Sequence, residues 1–396
     1  MDHKRVYLKK GKEESLKRFH PWVFSGAIAH TEGEPDEGEV VDIYTDRKEF
    51  IARGHFQIGS IAVRVLTFRE DEEISPGYWA RRLTVALEVR KALGLVGNPD
   101  TNTFRLVHGE GDGLPGLVVD VYGQTAVMQA HSVGMHVCRM EIADALHEVM
   151  GEAVRNIYYK SETTLPFKAE VQGGENGFLR GGSTENVALE NGLKFHVDWL
   201  KGQKTGFFID QRENRLLLER YAKGRNVLNM FCYTGGFSFY AMRGGAALVH
   251  SVDSSSKAID LTNENVELNF PGDERHQAFA EDAFKYLDNM GDQYDLIILD
   301  PPAFAKHREA LRNALRGYIK LNAKAFEKIR PGGILFTFSC SQVVTRQDFR
   351  NAVFTAATLS RRHVRILHQL TQPADHPINI YHPEGEYLKG LVLYIE

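Results

Sequence analysis

The sequence predicts an α/β protein: a doubly wound parallel sheet in its second half, preceded by a small β-barrel and an α+β section. Three observations carry that expectation. From about residue 200 onward, short apolar strands alternate strictly with helical stretches, the pattern of βαβ units. Two of those strands, Leu296 to Asp300 and Ile334 to Ser339, are nearly unbroken apolar runs, as expected of strands covered on both faces. The first 73 residues instead hold closely spaced β segments divided by turns.

In chain order, the predicted barrel (residues 1–73) contains strands at Val6–Leu8, Glu39–Tyr44, Phe50–Gly54 and Ala62–Leu66. Pro76-Gly77 then marks a break. The central domain (74–190) opens on a helix from Tyr78 to Leu93, with Leu83 and Leu87 on one face. Strands follow at Phe104–Val107, Leu117–Tyr122 and Thr125–Gln129, then a helix from Met135 to Met150 and a strand at Asn156–Tyr159. The Gly- and Asn-rich run Gln172 to Ser183 reads as a loop. Asn191-Gly192 reads as a tight hairpin turn, because both residues tolerate positive φ. The third domain (191–396) has strands at Val227–Phe231, Leu248–Asp253, His276–Phe279, Leu296–Asp300 and Ile334–Ser339. Its clearest helices are Ser256–Asn269 and Arg308–Lys328. Val364–Leu367 and Leu388–Ile395 have no helix between them, so they should pair antiparallel and give a seven-stranded sheet whose last strand is reversed.

Bulk properties exclude several classes. A chain of 396 residues with 43% hydrophobic and 25% charged residues has the composition of a soluble globular protein. No apolar run is long enough to span a bilayer, and Met1-Asp2-His3-Lys4-Arg5 does not open a secretion signal. Three scattered cysteines, Cys138, Cys232 and Cys340, build neither a disulfide framework nor a metal site, which points to the cytoplasm and to no bound metal.

In a parallel sheet, chemistry collects at the carboxyl ends of the strands. Phe231-Cys232-Tyr233-Thr234-Gly235-Gly236 forms a small-residue turn between a strand and a helix, where the backbone can approach a ligand. The G-x-G-x-x-G dinucleotide fingerprint is absent. Asp253 ends the second strand and can accept both hydroxyls of a ribose. Asp282 and Ala283 follow the third, where a carboxylate suits an adenine amino group. Phe231, Tyr233, Gly235, Asp253, Asp282 and Ala283 together describe a site for a nucleoside lacking a pyrophosphate, as in S-adenosylmethionine. Asp300, Pro301 and Gln211 are further candidate contacts to that cofactor. Asp300-Pro301-Pro302-Ala303-Phe304 ends the fourth strand in a carboxylate, and Ser339-Cys340-Ser341 ends the fifth in a thiol.

These features resemble the class I S-adenosylmethionine-dependent methyltransferases, including their antiparallel last strand. The chain is more closely similar to bacterial large-subunit ribosomal RNA (cytosine-C5) methyltransferases with an N-terminal PUA domain. Arg18 to Gly26 matches the opening of that domain, Gly109 to Gly116 the central domain, and Lys204 to Arg212, Asp300 to Phe304, Ser339 to Ser341 and Pro383 to Gly385 the catalytic half. The resemblance implies a cytosine of 23S ribosomal RNA, or of a large-subunit precursor, as substrate, and leaves room for a homodimer. It implies catalysis by Cys340 and Asp300. Cys340 would add to C6 of the ring, while Asp300 holds the N3/N4 edge. Many RNA cytosine-C5 methyltransferases carry a second cysteine after the motif's proline, whereas here Ala303 and Phe304 follow the prolines. Asp375 and His376 are candidates for the base that removes the C5 proton.

For RNA, Arg18 and His20 in the first domain are candidates, as are Arg308, Arg312, Arg316 and Lys320, spaced four apart on one helix. The bland reading of that stripe is a solvated helix face. Trp22 and Phe24 could meet RNA beside His20, but residue by residue they read as barrel core. Two rivals remain: an amino-group or guanine-N7 methylase using Asp-Pro-Pro-Ala-Phe without a cysteine, and a non-catalytic RNA-binding protein.

Overall fold

The computed structural model describes residues 3–166 and 173–396, which form two compact units. The first comprises Met1–Gly192, Val197–Ile209 and Ala374–Gly385; the second Leu193–His196, Asp210–Pro373 and Glu386–Glu396.

The first unit begins with β1 (Lys4–Leu8), α1 (Glu14–Lys17), β2 (Trp22–Phe24), β3 (Ile28–Glu32), β4 (Val40–Tyr44), β5 (Phe50–Phe56) and β6 (Ile61–Thr67). These strands form a six-stranded sheet in the order β2-β6-β5-β4-β1-β3, with β1 and β4 parallel. They share one core that includes Val6, Leu16, Val23, Ile43, Ala52 and Val63. Strand alternation decides which residues enter it. Val23 points inward on β2, so Trp22 is only half-buried and Phe24 stays 47% exposed, and neither is the core residue that its size suggested. Strands β2 and β3 are too short and too polar to show in the sequence pattern.

Pro76-Gly77 is a helix start rather than a break. Pro76 begins α2 (Pro76–Ala92) behind Ser75, where the missing N–H costs nothing. Next come β7 (Thr103–His108), β8 (Leu117–Tyr122), β9 (Thr125–Ala130), α3 (Val133–Val137), α4 (Arg139–Met150), β10 (Asn156–Tyr159), β11 (Gly177–Arg180) and β12 (Val187–Glu190). The five strands β7 to β11 make the sheet β11-β10-β9-β8-β7, packed beneath α2 and α4. The single helix expected from Met135 to Met150 is two, divided at Cys138, where ψ swings to 5°. The expected loop up to Ser183 contains β11, which owes its extended form to pairing with β10 rather than to its own side chains; Gln172 lies outside the described residues.

Two buried ion pairs tie this unit together. Arg90 donates to both oxygens of Asp112 at 2.5 and 2.9 Å, and to the Asp375 carbonyl at 2.6 Å. Arg105 grips Asp120 at 2.7 and 2.8 Å, while its backbone N–H donates to the Asp375 carboxylate at 3.0 Å. Asp375 and His376 are 0% and 1% exposed, and the His376 ring lies 3.2 Å from the Asp375 carboxylate. Burial in this network withdraws both as bases acting on a substrate.

The second unit contains β13 (Leu193–His196), α5 (Arg212–Glu219), β14 (Asn226–Met230), α6 (Gly236–Arg243), β15 (Leu248–Asp253), α7 (Ser256–Asn269), β16 (His276–Ala280), α8 (Ala283–Asn289), β17 (Leu296–Leu299), α9 (Leu311–Lys328), β18 (Gly333–Ser339), α10 (Arg346–Ser360), β19 (Val364–Leu370) and β20 (Lys389–Ile395). Asn191 and Gly192, between β12 and β13, have φ of 49° and 79°, as the expected tight turn demands. Seven strands form the sheet β16-β15-β14-β17-β18-β20-β19; β14 to β18 are parallel and β20 is antiparallel to both of its neighbours. That is the architecture expected from the sequence. No helix among the described residues is long and apolar enough to cross a membrane.

Asp112→Ala would strand the wholly buried Arg90 guanidinium. We expect the loss of about 3–5 kcal/mol of stability in urea unfolding; a change below about 1 kcal/mol would show that the pair does not hold this unit together.

Candidate active site

Five adjacent parallel strands, in the order β16-β15-β14-β17-β18, end on one edge of the second unit's sheet. Each end carries residues singled out above: Asp282 and Ala283 after β16, Asp253 closing β15, Phe231 to Gly235 after β14, Asp300 and Pro301 after β17, and Cys340 after β18. The parallel register brings these segments, up to 109 positions apart in the chain, to a common edge.

The turn after β14 is strained. Phe231, Tyr233 and Gly235 all adopt left-handed conformations, with φ of 59°, 48° and 85°. For Phe and Tyr this costs on the order of 1–3 kcal/mol each, so surrounding contacts must hold it. The Tyr233 N–H donates to Asp253 at 3.0 Å, Thr262 donates to the Tyr233 carbonyl at 2.9 Å, and Asn265 to the Thr234 carbonyl at 3.3 Å. Gly235 has no room for a side chain, since a Cβ there would lie 2.6 Å from the Phe239 ring. Cys232 is buried in this turn, and burial pushes its thiol up, with the Asp253 charge adding to the effect. It is a packing residue.

Asp253 and Asp282 are only partly committed to the protein. Asp253 accepts one amide on each oxygen, from Tyr233 and from Ser255 at 2.9 Å, which leaves a lone pair on each for a vicinal diol. Asp282 caps α8 by accepting from the Lys285 amide at 3.0 Å with one oxygen. Gln211 donates to Asp300 at 3.1 Å, and Asn214 donates to Gln211 at 2.6 Å, so the Gln211 amide is oriented from behind. Gln211 and Asp300, 89 residues apart, therefore belong to one cluster. This donor set suits a nucleoside: carboxylates for ribose and base, with backbone that can approach closely.

Cys340 is half-buried, and its sulfur lies 3.9 Å from the Pro301 carbonyl oxygen. The serines on either side fix it. Ser339 donates to the Tyr318 hydroxyl at 2.9 Å, and Ser341 donates to the Ala305 carbonyl at 2.5 Å. Burial pushes the Tyr318 hydroxyl up to about 12; Ser339 works against this, and the Cys340 and Asp300 charges add to it. Phe304 packs on Tyr318 with ring centroids 4.7 Å apart. Lys389 is 3% exposed and donates to the Ser341 carbonyl at 2.5 Å. Sequence reasoning missed it, although it is the one charged residue in the run Leu388 to Ile395.

The RNA candidates divide between the units. Arg312, Arg316 and Lys320 are exposed along α9, with exposed Arg308 in the single turn before it. Lys320 lies over the Phe284 ring at 5.1 Å. Arg18 is exposed just after α1 in the first unit. There His20 Nδ1 accepts the Trp22 amide at 3.3 Å, which puts the ring proton on Nε2, 3.5 Å from Glu384. His20, His382 and Glu384 are the one group of three His, Cys or acidic side chains close enough among the described residues to hold a metal ion, but that tautomer aims a proton at the carboxylate instead of a lone pair at an ion.

The sequence matches the family described as S-adenosylmethionine-dependent methyltransferase over residues 175–378, and a PUA-like domain over residues 6–68. The Ribosomal RNA large subunit methyltransferase I of Tolumonas auensis is 42% identical over 395 residues, covering 98% of each chain. The protein of that name from Aeromonas hydrophila is likewise 42% identical over 395 residues, at 98% of each. A solved Streptococcus mutans chain, described as a SAM-dependent methyltransferase, superposes with a TM-score of 0.83 over 98% of this chain and 99% of its own. At 23% identity it shows a shared fold. S-adenosylmethionine is the cofactor of this protein, and the donor set at the sheet edge fits it. The chain belongs to the family of S-adenosylmethionine-dependent methyltransferases that includes the Ribosomal RNA large subunit methyltransferases I, with a PUA-like domain at its N-terminus.

Proposed function

We propose that the protein methylates C5 of a cytosine in 23S ribosomal RNA through a covalent adduct with Cys340. The observation that carries this reading is the position of the Cys340 sulfur, 3.9 Å from the Pro301 carbonyl and hence beside the Asp300 strand end. The ribosomal substrate is supported by the names of the relatives, which act on large-subunit RNA.

In this reading Asp253 accepts the ribose hydroxyls, Asp282 the adenine amino group, and the Phe231–Gly235 turn lies along the cofactor, with Gln211 and Pro301 as further contacts. The bound cofactor supplies an electrophilic sulfonium methyl. C5 of cytosine is a poor nucleophile, so Cys340 adds its thiolate to C6 and turns the ring into an enamine whose electron density lies on C5. Asp300, oriented by Gln211, accepts from the exocyclic amino group and fixes the ring edge beside the sulfur. C5 takes the methyl group as its bond to the sulfonium sulfur breaks, leaving S-adenosylhomocysteine; water then accepts the C5 proton, and those electrons re-form the C5–C6 double bond as the C6–S bond breaks and the Cys340 thiolate leaves. Arg312, Arg316 and Lys320 meet RNA phosphates from α9 and Arg308 from the turn before it, and Arg18 and His20 do so from the PUA-like domain of residues 1–73.

A transcript carrying 5-fluorocytidine at the target should form a denaturation-resistant complex with the wild-type protein and none with Cys340→Ala. The same variant should lose methyl transfer while binding S-adenosylhomocysteine normally in calorimetry. Substantial residual transfer would point instead to an amino-group or guanine-N7 methylase. Asp253→Ala should weaken S-adenosylhomocysteine binding about tenfold or more, as expected when a charged hydrogen-bond acceptor is removed; unchanged affinity would take the ribose from that carboxylate.

A further inference from the structure

Strand β20 is antiparallel to β18, and the register sets Lys389 opposite Ser339, the residue before Cys340. The Lys389 ammonium reaches past that pair to donate to the carbonyl of Ser341, the residue after Cys340. One lysine thus touches the strand end on both sides of the thiol. An ammonium that is 3% exposed is costly to keep out of water unless something negative lies near it. Burial pushes Lys389 down to about 8, the Cys340 and Glu386 charges oppose that, and Arg346 adds to it.

The neighbouring charges are disposed as follows. Glu386 and Arg346, from the start of α10, pair with each other. Tyr318, from α9, is held neutral by burial. The Asp300 carboxyl group follows β17, and a negative charge there would oppose a second one on Cys340. Lys389 is the cation that can offset it.

We propose that Lys389 is a positioning residue that sets the ionisation of Cys340, its buried ammonium keeping a positive charge beside the sulfur so that the thiolate is favoured. When Cys340 ionises, its proton passes to water and Lys389 retains its own. The inference rests on Cys340 being the nucleophile, as proposed above.

The test is the pH dependence of Cys340 alkylation by iodoacetamide, followed by mass spectrometry of the Cys340 peptide, with the buried Cys232 as a control for unfolding. Lys389→Met should raise the midpoint by about one pH unit and lower the rate at neutral pH about tenfold; Lys389→Arg should keep the midpoint low. Equal midpoints in wild type and Lys389→Met overturn the proposal. Should the methionine variant fail to fold, the reciprocal measurement decides. By linkage, Cys340→Ala must lower the Lys389 pKa, read from the Cε shift of [13C]lysine-labelled protein, and an unmoved titration overturns the proposal. An unmoved midpoint with a normal 5-fluorocytidine adduct would end this inference alone. A raised midpoint without any adduct would end the covalent reading while leaving the charge effect in place.

Discussion

Parallel pairing is the constraint on which the catalytic unit depends. A strand followed by a returning helix must start again at the same edge, so successive strands finish together. Five of them do so here, and each is followed by a segment that carries a candidate site residue. Hydrogen bonds in the loops then set the detail. Tyr233 to Asp253 joins the turn after β14 to the end of β15, and Gln211 to Asp300 joins the segment before α5 to the end of β17.

The local conformational cost falls where a ligand would approach. Two aromatic residues in left-handed conformation within three positions are unfavourable in isolation. They persist because Asp253, Thr262 and Asn265 each bond to that backbone. Asp253 therefore has two roles: it braces the turn and still offers lone pairs outward. The thiol side is built differently. Ser339, Ser341 and Tyr318 lock the segment around Cys340 through side-chain hydrogen bonds, and Lys389 brings a charge into an otherwise apolar strand.

Much of this was legible in the sequence, for physical reasons. Alternation of apolar runs with helical periodicity is local, so β14 to β18 and the helix Ser256–Asn269 could be read directly. Residues that close a strand could be named because strand ends follow from those runs. Elements stabilised by their neighbours were not legible. Strand β11 exists through its pairing with β10, and β2 is three residues long. Phe24 looked like core and is exposed because alternation, set by the register with β6, turns it outward.

The sequence by itself determined the fold class, the succession of the catalytic unit's strands along the chain and the identities of the groups at their ends, because these depend on periodicity and residue type along the chain. Only the tertiary structure decided which of those groups meet, through contacts with no sequence signal. Gln211 reaches Asp300 across 89 residues, Asp375 is buried against Arg105 across 270, and Lys389 reaches the Ser341 carbonyl because β20 runs antiparallel to β18 in one register. A one-residue slip in that pairing would turn the ammonium to the other face, so its place belongs to the sheet and not to the sequence around it.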